Sequence, residues 1–135
     1  LGATRIIDLA TLTGACVTAL GTFRSGLIGN NQSWINHVFD AGERVHEKMW
    51  QLPSDQEYEA LLHSDIADMR NTGGRDGGAI TAGLFIKRFV QPHIPWVHLD
   101  IAGTAFCEEK TDTGFKGATG VGIKTILEIL KGGQP

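Results

Sequence analysis

Late in the sequence a histidine and a carboxylate stand two positions apart in an apolar run. His98 and Asp100 lie within residues 96–101, and alternate side chains of a strand point to the same face. Such a pair suits two metal ligands or a proton relay. A buried polar pair that ties its strand to a neighbour predicts the same spacing. No third ligand lies nearby in the sequence, so the structural interpretation is preferred.

Two other groups of polar residues have a weaker claim to chemistry. His63, Asp65 and Asp68 include metal-ligand types, but they stand where a helix gives way to a loop, and solvation of the helix end is preferred. The glycine-rich residues 73–78, with Arg75, have backbone N–H groups that can hold an anion, and a surface loop is preferred. The sequence contains no G-x-S-x-G or H-E-x-x-H motif and no plausibly paired cysteine and histidine. It therefore carries no complete catalytic set.

Two runs end in small residues and are the best candidates for a binding site. Residues 8–15 read D-L-A-T-L-T-G-A, and residues 98–103 read H-L-D-I-A-G. Each is a strand-like segment that breaks into small residues at its carboxyl end, which is where pockets form in α/β sheets. The two runs are predicted to form walls of one site.

The periodicity of the sequence predicts the elements that hold these runs. Residues 5–12, 25–29 and 96–101 are expected to be strands, and residues 68–78 a loop. Helices are expected over 13–20, from an N-cap at Ser33 to a stop at Pro53, over 55–63 and 79–90, and at the end, where an apolar stripe comprises Ile123, Ile126, Leu127 and Leu130. Residues 103–120 are expected to be irregular. The order predicts an α/β fold with three α/β/α layers and a mixed, mostly parallel central sheet.

Composition limits the class of protein. The 135 residues, expected to form a single domain over 1–135, carry a net charge of −3 without a basic block, which gives nucleic-acid binding little support. No run approaches the ~18 apolar residues of a membrane span. Cys16 and Cys107 are expected to be buried free thiols of a reducing compartment. The chain begins without Met and enters a strand almost at once, which suggests that it is cut from a longer sequence.

Four segments together resemble a known family. They are D-L-A-T-L-T-G-A-C-V-T-A-L-G, then A-D-M-R-N-T-G-G with G-G-A-I-T-A-G-L-F-I-K-R-F-V, then W-V-H-L-D-I-A-G-T-A, and finally G-A-T-G-V-G-I-K-T-I. The set resembles the C-terminal part of the catalytic domain of the leucyl (cytosol) aminopeptidases, the M17-type two-metal peptidases. The matches come in the family's order and run almost end to end.

The resemblance implies a zinc-peptidase-like α/β/α domain of a hydrolase that removes leucine-type residues from the N-terminus of peptides. In this family two divalent ions, manganese or zinc, activate the attacking water, and members are typically cytoplasmic hexamers. The family's metal ligands, and the lysine and arginine that assist catalysis, lie on motifs absent from this sequence, such as an N-T-D-A-E-G-R-like run. This chain is therefore expected to hold no metal ligand or catalytic residue, to bind no ion and to be inactive alone.

The resemblance carries over only residues for substrate binding. It implies that backbone groups at Leu12 and Gly14 hold the peptide, and that Thr11, Ala102 and Ala105 line the pocket for its first side chain. Ala105 is smaller than the methionine often found there, so a roomier pocket is expected. The resemblance also makes His98 and Asp100 supports of their strand rather than metal ligands.

Two non-enzymatic alternatives remain open. Some relatives of the family also bind DNA, which makes a binding or regulatory module one alternative, although the weakly acidic charge argues against it. An assembly module that packs against itself or a partner segment is the other. The expected partners are a peptide substrate and further copies of the chain, with no nucleic acid and no membrane.

Overall fold

The computed structural model describes residues 2–108 and 116–132. Within these ranges the chain forms six strands and five helices. In chain order they are β1 (Ile6–Ala10), α1 (Gly14–Leu20), β2 (Ser25–Gly29), α2 (Gln32–Arg44), β3 (Met49–Gln51), α3 (Gln56–Ala60), α4 (Gly78–Lys87), β4 (Trp96–Asp100), β5 (Phe106–Cys107), β6 (Gly117–Ala118) and α5 (Ile123–Lys131).

The central sheet has the strand order β1-β4-β2-β3. β1 runs parallel to β4, with Asp8 opposite His98, and β2 runs parallel to β3. The middle pair is antiparallel, with Gly26 of β2 opposite Asp100 of β4. This arrangement confirms the predicted mixed, mostly parallel sheet. It also places the carboxyl ends of β1 and β4 at one edge, where β2 begins.

Helices cover both faces of this sheet, which confirms the three layers. On one face, a buried core forms between the sheet and α2, and Ile129 of α5 packs against it. On the other face, α1 and α4 lie close to β2: a Cβ on Gly26 would meet Cys16 Sγ at 3.0 Å, and a Cβ on Gly83 would meet Ile28 Cδ1 at 2.6 Å. The buried core residues of the first face are Leu27, Trp34, Ile35, Val38, Met49, Val97 and Leu99.

The second helix departs from the prediction at both ends. Its N-cap is Asn31, whose side chain accepts the N–H of Trp34 at 2.9 Å, so the predicted cap Ser33 lies inside the first turn. The helix ends at Arg44 rather than near Pro53 because the chain turns back there, with Glu47 N–H donating to the Gly42 carbonyl. Met49–Gln51 form β3 instead of helix. The sequence did not predict this strand because Met49 continues the helical spacing.

The last helix buries a different side from the predicted stripe. Ile123, Leu127 and Leu130 are 60%, 48% and 72% exposed, whereas Thr125 is fully buried. The side facing the sheet is set by the start of the helix, where a Cβ on Gly122 would meet Leu9 Cδ2 at 2.3 Å. The predicted stripe is therefore wrong for three of its four members, and an apolar flank of α5 faces outward.

The irregular segment contains a small hairpin. β5 pairs with β6 in the antiparallel sense, with Phe106 opposite Ala118. Residues 109–115 of the predicted irregular stretch lie outside the described residues. In the described part of the chain, no helix is both long and apolar enough to cross a membrane.

Candidate functional site

The two small-residue runs lie side by side at the edge where β1 and β4 end. Ala10 stands opposite Asp100 in the parallel ladder, and the N–H of Ile101 donates to the Ala10 carbonyl at 2.9 Å. Residues 11–14 and 101–105 therefore leave the sheet next to each other. The two runs are therefore neighbours, and their role as walls of one site stays a prediction.

The carboxylate of Asp100 joins the two runs. Its Oδ1 accepts N–H groups from Leu12 at 3.2 Å and from Ala102 at 3.1 Å, and lies 3.4 Å from the nitrogen of Thr13. Its Oδ2 accepts the Thr13 hydroxyl at 2.7 Å. Asp100 is only 1% exposed, and burying a carboxylate is costly unless hydrogen bonds satisfy it. The N–H and O–H groups of the two runs meet that need.

A cavity of about 590 Å³ opens beside the end of β4. Its volume falls within the range of small-molecule sites. Gly103 makes the cavity wall possible, because a Cβ there would lie 2.2 Å from the Gly21 carbonyl oxygen. The lining residues are Val17, Thr22, Phe23, Ala102, Gly103, Thr104, Phe106, Cys107, Glu108 and Thr119.

The predicted substrate-binding residues occupy distinct places around this edge. Ala102 lines the cavity, whereas Ala105 is half-buried, lies outside the described lining and donates its N–H to the Ile101 carbonyl. Thr11 and Leu12 are exposed at the end of β1, and Gly14 is the exposed first residue of α1. Asp100 brings Leu12 together with Ala102. A role for these five residues in substrate binding stays a prediction.

His98 has a structural partner that sequence reasoning did not identify. Its Nδ1 lies 2.5 Å from Asp8 Oδ1 on β1, and the indole N–H of Trp96 donates to Asp8 Oδ2 at 2.5 Å. His98 therefore ties β4 to β1, which confirms the interpretation of a buried polar pair. The single acidic residue inside the apolar run 5–12 was the available signal for Asp8. The signal for Thr13 was its position as a helix N-cap.

The weaker candidates do not gather around this edge. His63 Nε2 lies 3.3 Å from Asp65 Oδ1, with side chains 76% and 90% exposed, as solvation of a helix end predicts. Arg75 lines a second cavity of about 560 Å³ at the start of α4, together with Ala15 and Thr18 of α1. The predicted loop is confirmed over residues 68–77, which form no helix or strand.

The described residues do not fit a two-metal centre. Within residues 2–108 and 116–132, no group of three or more His, Cys, Asp or Glu side chains is placed to hold a metal ion. Cys16 is also an unsuitable ligand, because burial, followed by the charge of Asp100, raises the pKa of its thiol. Its Sγ lies 3.6 Å from the Asp100 carbonyl oxygen.

Sequence comparison places the chain beside a family of peptidases. Residues 1–127 match the family model described as the cytosol aminopeptidase family, catalytic domain. A probable cytosol aminopeptidase of Alkaliphilus metalliredigens is 50% identical over 97% of this chain and 26% of its own length. One of Koribacter versatilis is 49% identical over 97% and 25%. The chain thus spans about a quarter of the length of these curated relatives.

Solved structures agree with this likeness. A mutant of tomato leucine aminopeptidase superposes with a TM-score of 0.88 at 43% identity, covering 96% of this chain and 25% of that one. The bottromycin maturation enzyme BotP in complex with Mn gives a TM-score of 0.90 at 36% identity, covering 96% and 29%. The α/β fold is therefore shared with these proteins across nearly all of the chain.

Proposed function

This chain belongs to the cytosol aminopeptidase family, and from that premise we propose that it supplies the substrate-binding side of a larger, metal-dependent aminopeptidase. The proposed reaction is hydrolysis of the first peptide bond of a peptide with an apolar, leucine-type N-terminal residue. One observation carries the proposal: the Asp100 carboxylate joins the segments that follow β1 and β4, beside the 590 Å³ cavity.

The chemistry of this edge suits a peptide. Leu12 and Gly14 are exposed residues whose backbone groups can form hydrogen bonds with a peptide main chain, while Ala102 and its neighbours give the cavity a largely apolar wall. Apolar surface with a few placed polar groups is the usual composition of a binding pocket. Ala105 does not line this cavity, so the roomier pocket that the resemblance implies stays a prediction.

We assign the metal ions to parts of the enzyme outside these 135 residues. When bound, two divalent ions would generate a hydroxide and stabilise an oxyanion. Manganese is supported by the BotP complex with Mn, and zinc is the alternative. In this proposal the chain alone binds no ion and turns over no substrate.

The proposal extends to assembly and location. The exposed apolar flank of α5 supports a homo-oligomer, which we expect to be the hexamer typical of the family. The relatives named cytosol aminopeptidases support a cytoplasmic location. Nucleic acid and membranes are not among the proposed partners.

The test compares the chain alone with the complete polypeptide that contains it. Both are assayed on a chromogenic leucine amide with added manganese. We expect turnover by the complete polypeptide and none by the chain. Robust turnover by the chain would refute the proposal that the metal ions are bound outside these 135 residues. A folded, manganese-loaded complete polypeptide without turnover would refute the aminopeptidase and favour a binding or assembly module.

A further inference from the structure

The position of Asp100 suggests a role in binding that goes beyond support of its strand. We propose that Asp100 is a positioning residue: it orients the backbone of residues 11–13 so that the carbonyl groups of Thr11 and Leu12 face the bound peptide. The inference deepens the proposed function and depends on it. It rests on the contacts that the carboxylate makes with Leu12, Thr13 and Ala102.

The planarity of the peptide bond determines where the carbonyl groups point. In a trans peptide the N–H and C=O groups lie on opposite sides. The N–H of Leu12 points to Asp100 Oδ1, so the Thr11 carbonyl in the same peptide points away from it. The nitrogen of Thr13 lies 3.4 Å from the same oxygen, so the Leu12 carbonyl also points away. Because Thr11 and Leu12 are exposed, both carbonyls can accept N–H groups of a ligand.

Thr13 connects Asp100 to the start of α1. Its hydroxyl donates to Asp100 Oδ2 and accepts the N–H of Cys16 at 2.9 Å, which makes it the N-cap of the helix. The first helical residue, Gly14, is therefore fixed by the same bonds. Serine preserves both the donor and the acceptor of this hydroxyl, whereas valine keeps the shape and removes both.

The two strands are held together without the side chain of Asp100. The β1–β4 ladder runs over five residue pairs, from Ile6 and Trp96 to Ala10 and Asp100, and His98 adds its bond to Asp8. Residues 11–13 lie beyond the last of these pairs and are held by the Asp100 carboxylate. Weakening the bonds to this carboxylate should make residues 11–13 more mobile and leave β1 paired with β4.

The test measures KM and kcat of the complete polypeptide on leucine-initiated peptides with manganese. We expect Thr13→Val and Asp100→Asn to raise KM about tenfold, or ~1.4 kcal/mol, with kcat per folded enzyme nearly unchanged. Thr13→Ser should keep KM within about twofold of the unmodified value. The control is Glu47→Gln, which weakens the cap at the start of α5 without removing any contact of Asp100 and should leave KM unchanged.

Amide hydrogen exchange supplies a readout that needs no turnover. In Thr13→Val and Asp100→Asn, the amides of Leu12 and Ala102 should exchange about tenfold faster, and those of β4 should not. An unchanged KM in both variants, or an equal rise in Glu47→Gln, would overturn the inference. If the unmodified polypeptide shows no turnover, the proposed function fails, and unchanged exchange at Leu12 would then overturn the positioning role separately.

Discussion

The Cα of Gly14 faces open space, so a substitution at this one residue can test whether a peptide binds there. No atom lies within 4 Å of the position that a Cβ would take, and the residue begins α1. Alanine is favoured over glycine in helices, by up to ~1 kcal/mol in helix interiors. Gly14→Ala should therefore leave the melting temperature unchanged or higher. If a peptide lies over this position, the methyl group should raise KM about tenfold, since crowding a packed contact costs ~1–3 kcal/mol. An unchanged KM would place the peptide elsewhere.

Cys16 predicts how stability responds to alkaline pH. Burial, with the charge of Asp100 adding to it, raises the pKa of the thiol above its unfolded value. The folded state thus binds the proton more tightly, and this contribution is complete below the unfolded pKa and lost as pH rises through the folded one. The free energy of unfolding should fall above about pH 8.5. Cys16→Ala should show a shallower fall, as chemical denaturation at several pH values can measure.

Sequence reasoning reached the face on which His98 and Asp100 lie but not their partners. Alternation along a strand fixes the face, because it depends only on local geometry. Asp8 and Leu12 are 90 and 88 residues away from the groups that they contact, so the partners depend on strand order. No local pattern contains that information.

At the scale of elements, α5 begins with a cap from another part of the chain. Glu47 Oε2 accepts the N–H of Thr125 at 2.9 Å and its hydroxyl at 2.6 Å. A carboxylate at a helix N-terminus also interacts favourably with the helix dipole. Glu47→Gln should lower the free energy of unfolding by ~1 kcal/mol. Glu43→Gln, an exposed change on α2, is the control and should have no effect. Equal stability of the two variants in urea would contradict the capping role.

The turn after α1 and the segment after β4 pack without room for a side chain between them. A Cβ on Gly103 would lie 2.2 Å from the backbone oxygen of Gly21, and backbone cannot rotate away as a flexible side chain can. Gly103→Ala should therefore cost ~1–3 kcal/mol of stability and displace the cavity wall. The control, Gly132→Ala, meets its nearest atom at 3.5 Å and should be neutral. Equal melting temperatures for the two variants would show that the backbone of Gly21 can move to make room for the added methyl group.

Helices and strands were predictable where apolar residues follow a clear pattern between turn residues. β2 has the predicted bounds 25–29, because an apolar run between turn residues identifies a strand. β3 escaped detection because three residues are too few to show alternation. The apolar residues of α5 did not predict which side of the helix is buried. Gly122 and Thr125, which are not strongly apolar, make the contacts that orient the helix.

At the scale of the whole molecule, the order of elements predicted the layers but not the strand order. Alternating strands and helices require a sheet covered on both faces. The antiparallel pairing of β2 with β4 has no signal in the sequence, since the two strands are separated by α2, β3, α3 and α4. The proposed site depends on this pairing, which brings the start of β2 to the edge where β1 and β4 end.

One edge of the sheet and one helix flank predict self-association of the chain alone. In the β1–β4 ladder, Ile6 N–H donates to the Pro95 carbonyl and Ala10 accepts from Ile101, so the N–H and C=O groups of Ile7 and Leu9 face away from β4. An apolar strand with such an edge pairs readily with other chains. The exposed flank of α5, formed by Ile123, Leu127 and Leu130, adds apolar surface.

Light scattering of the isolated chain should therefore show oligomers that grow with concentration, because the residues described by the structure cover neither the edge of β1 nor the flank of α5. The double change Leu127→Glu with Leu130→Lys should shift the population toward monomer. Phe89→Lys is the matched control, since Phe89 is 69% exposed but follows α4 on the opposite face, and it should leave the oligomers unchanged. A monomeric unmodified chain at every concentration would contradict the prediction. Equal dissociation by the control would instead show that association depends on general hydrophobicity rather than on the α5 flank.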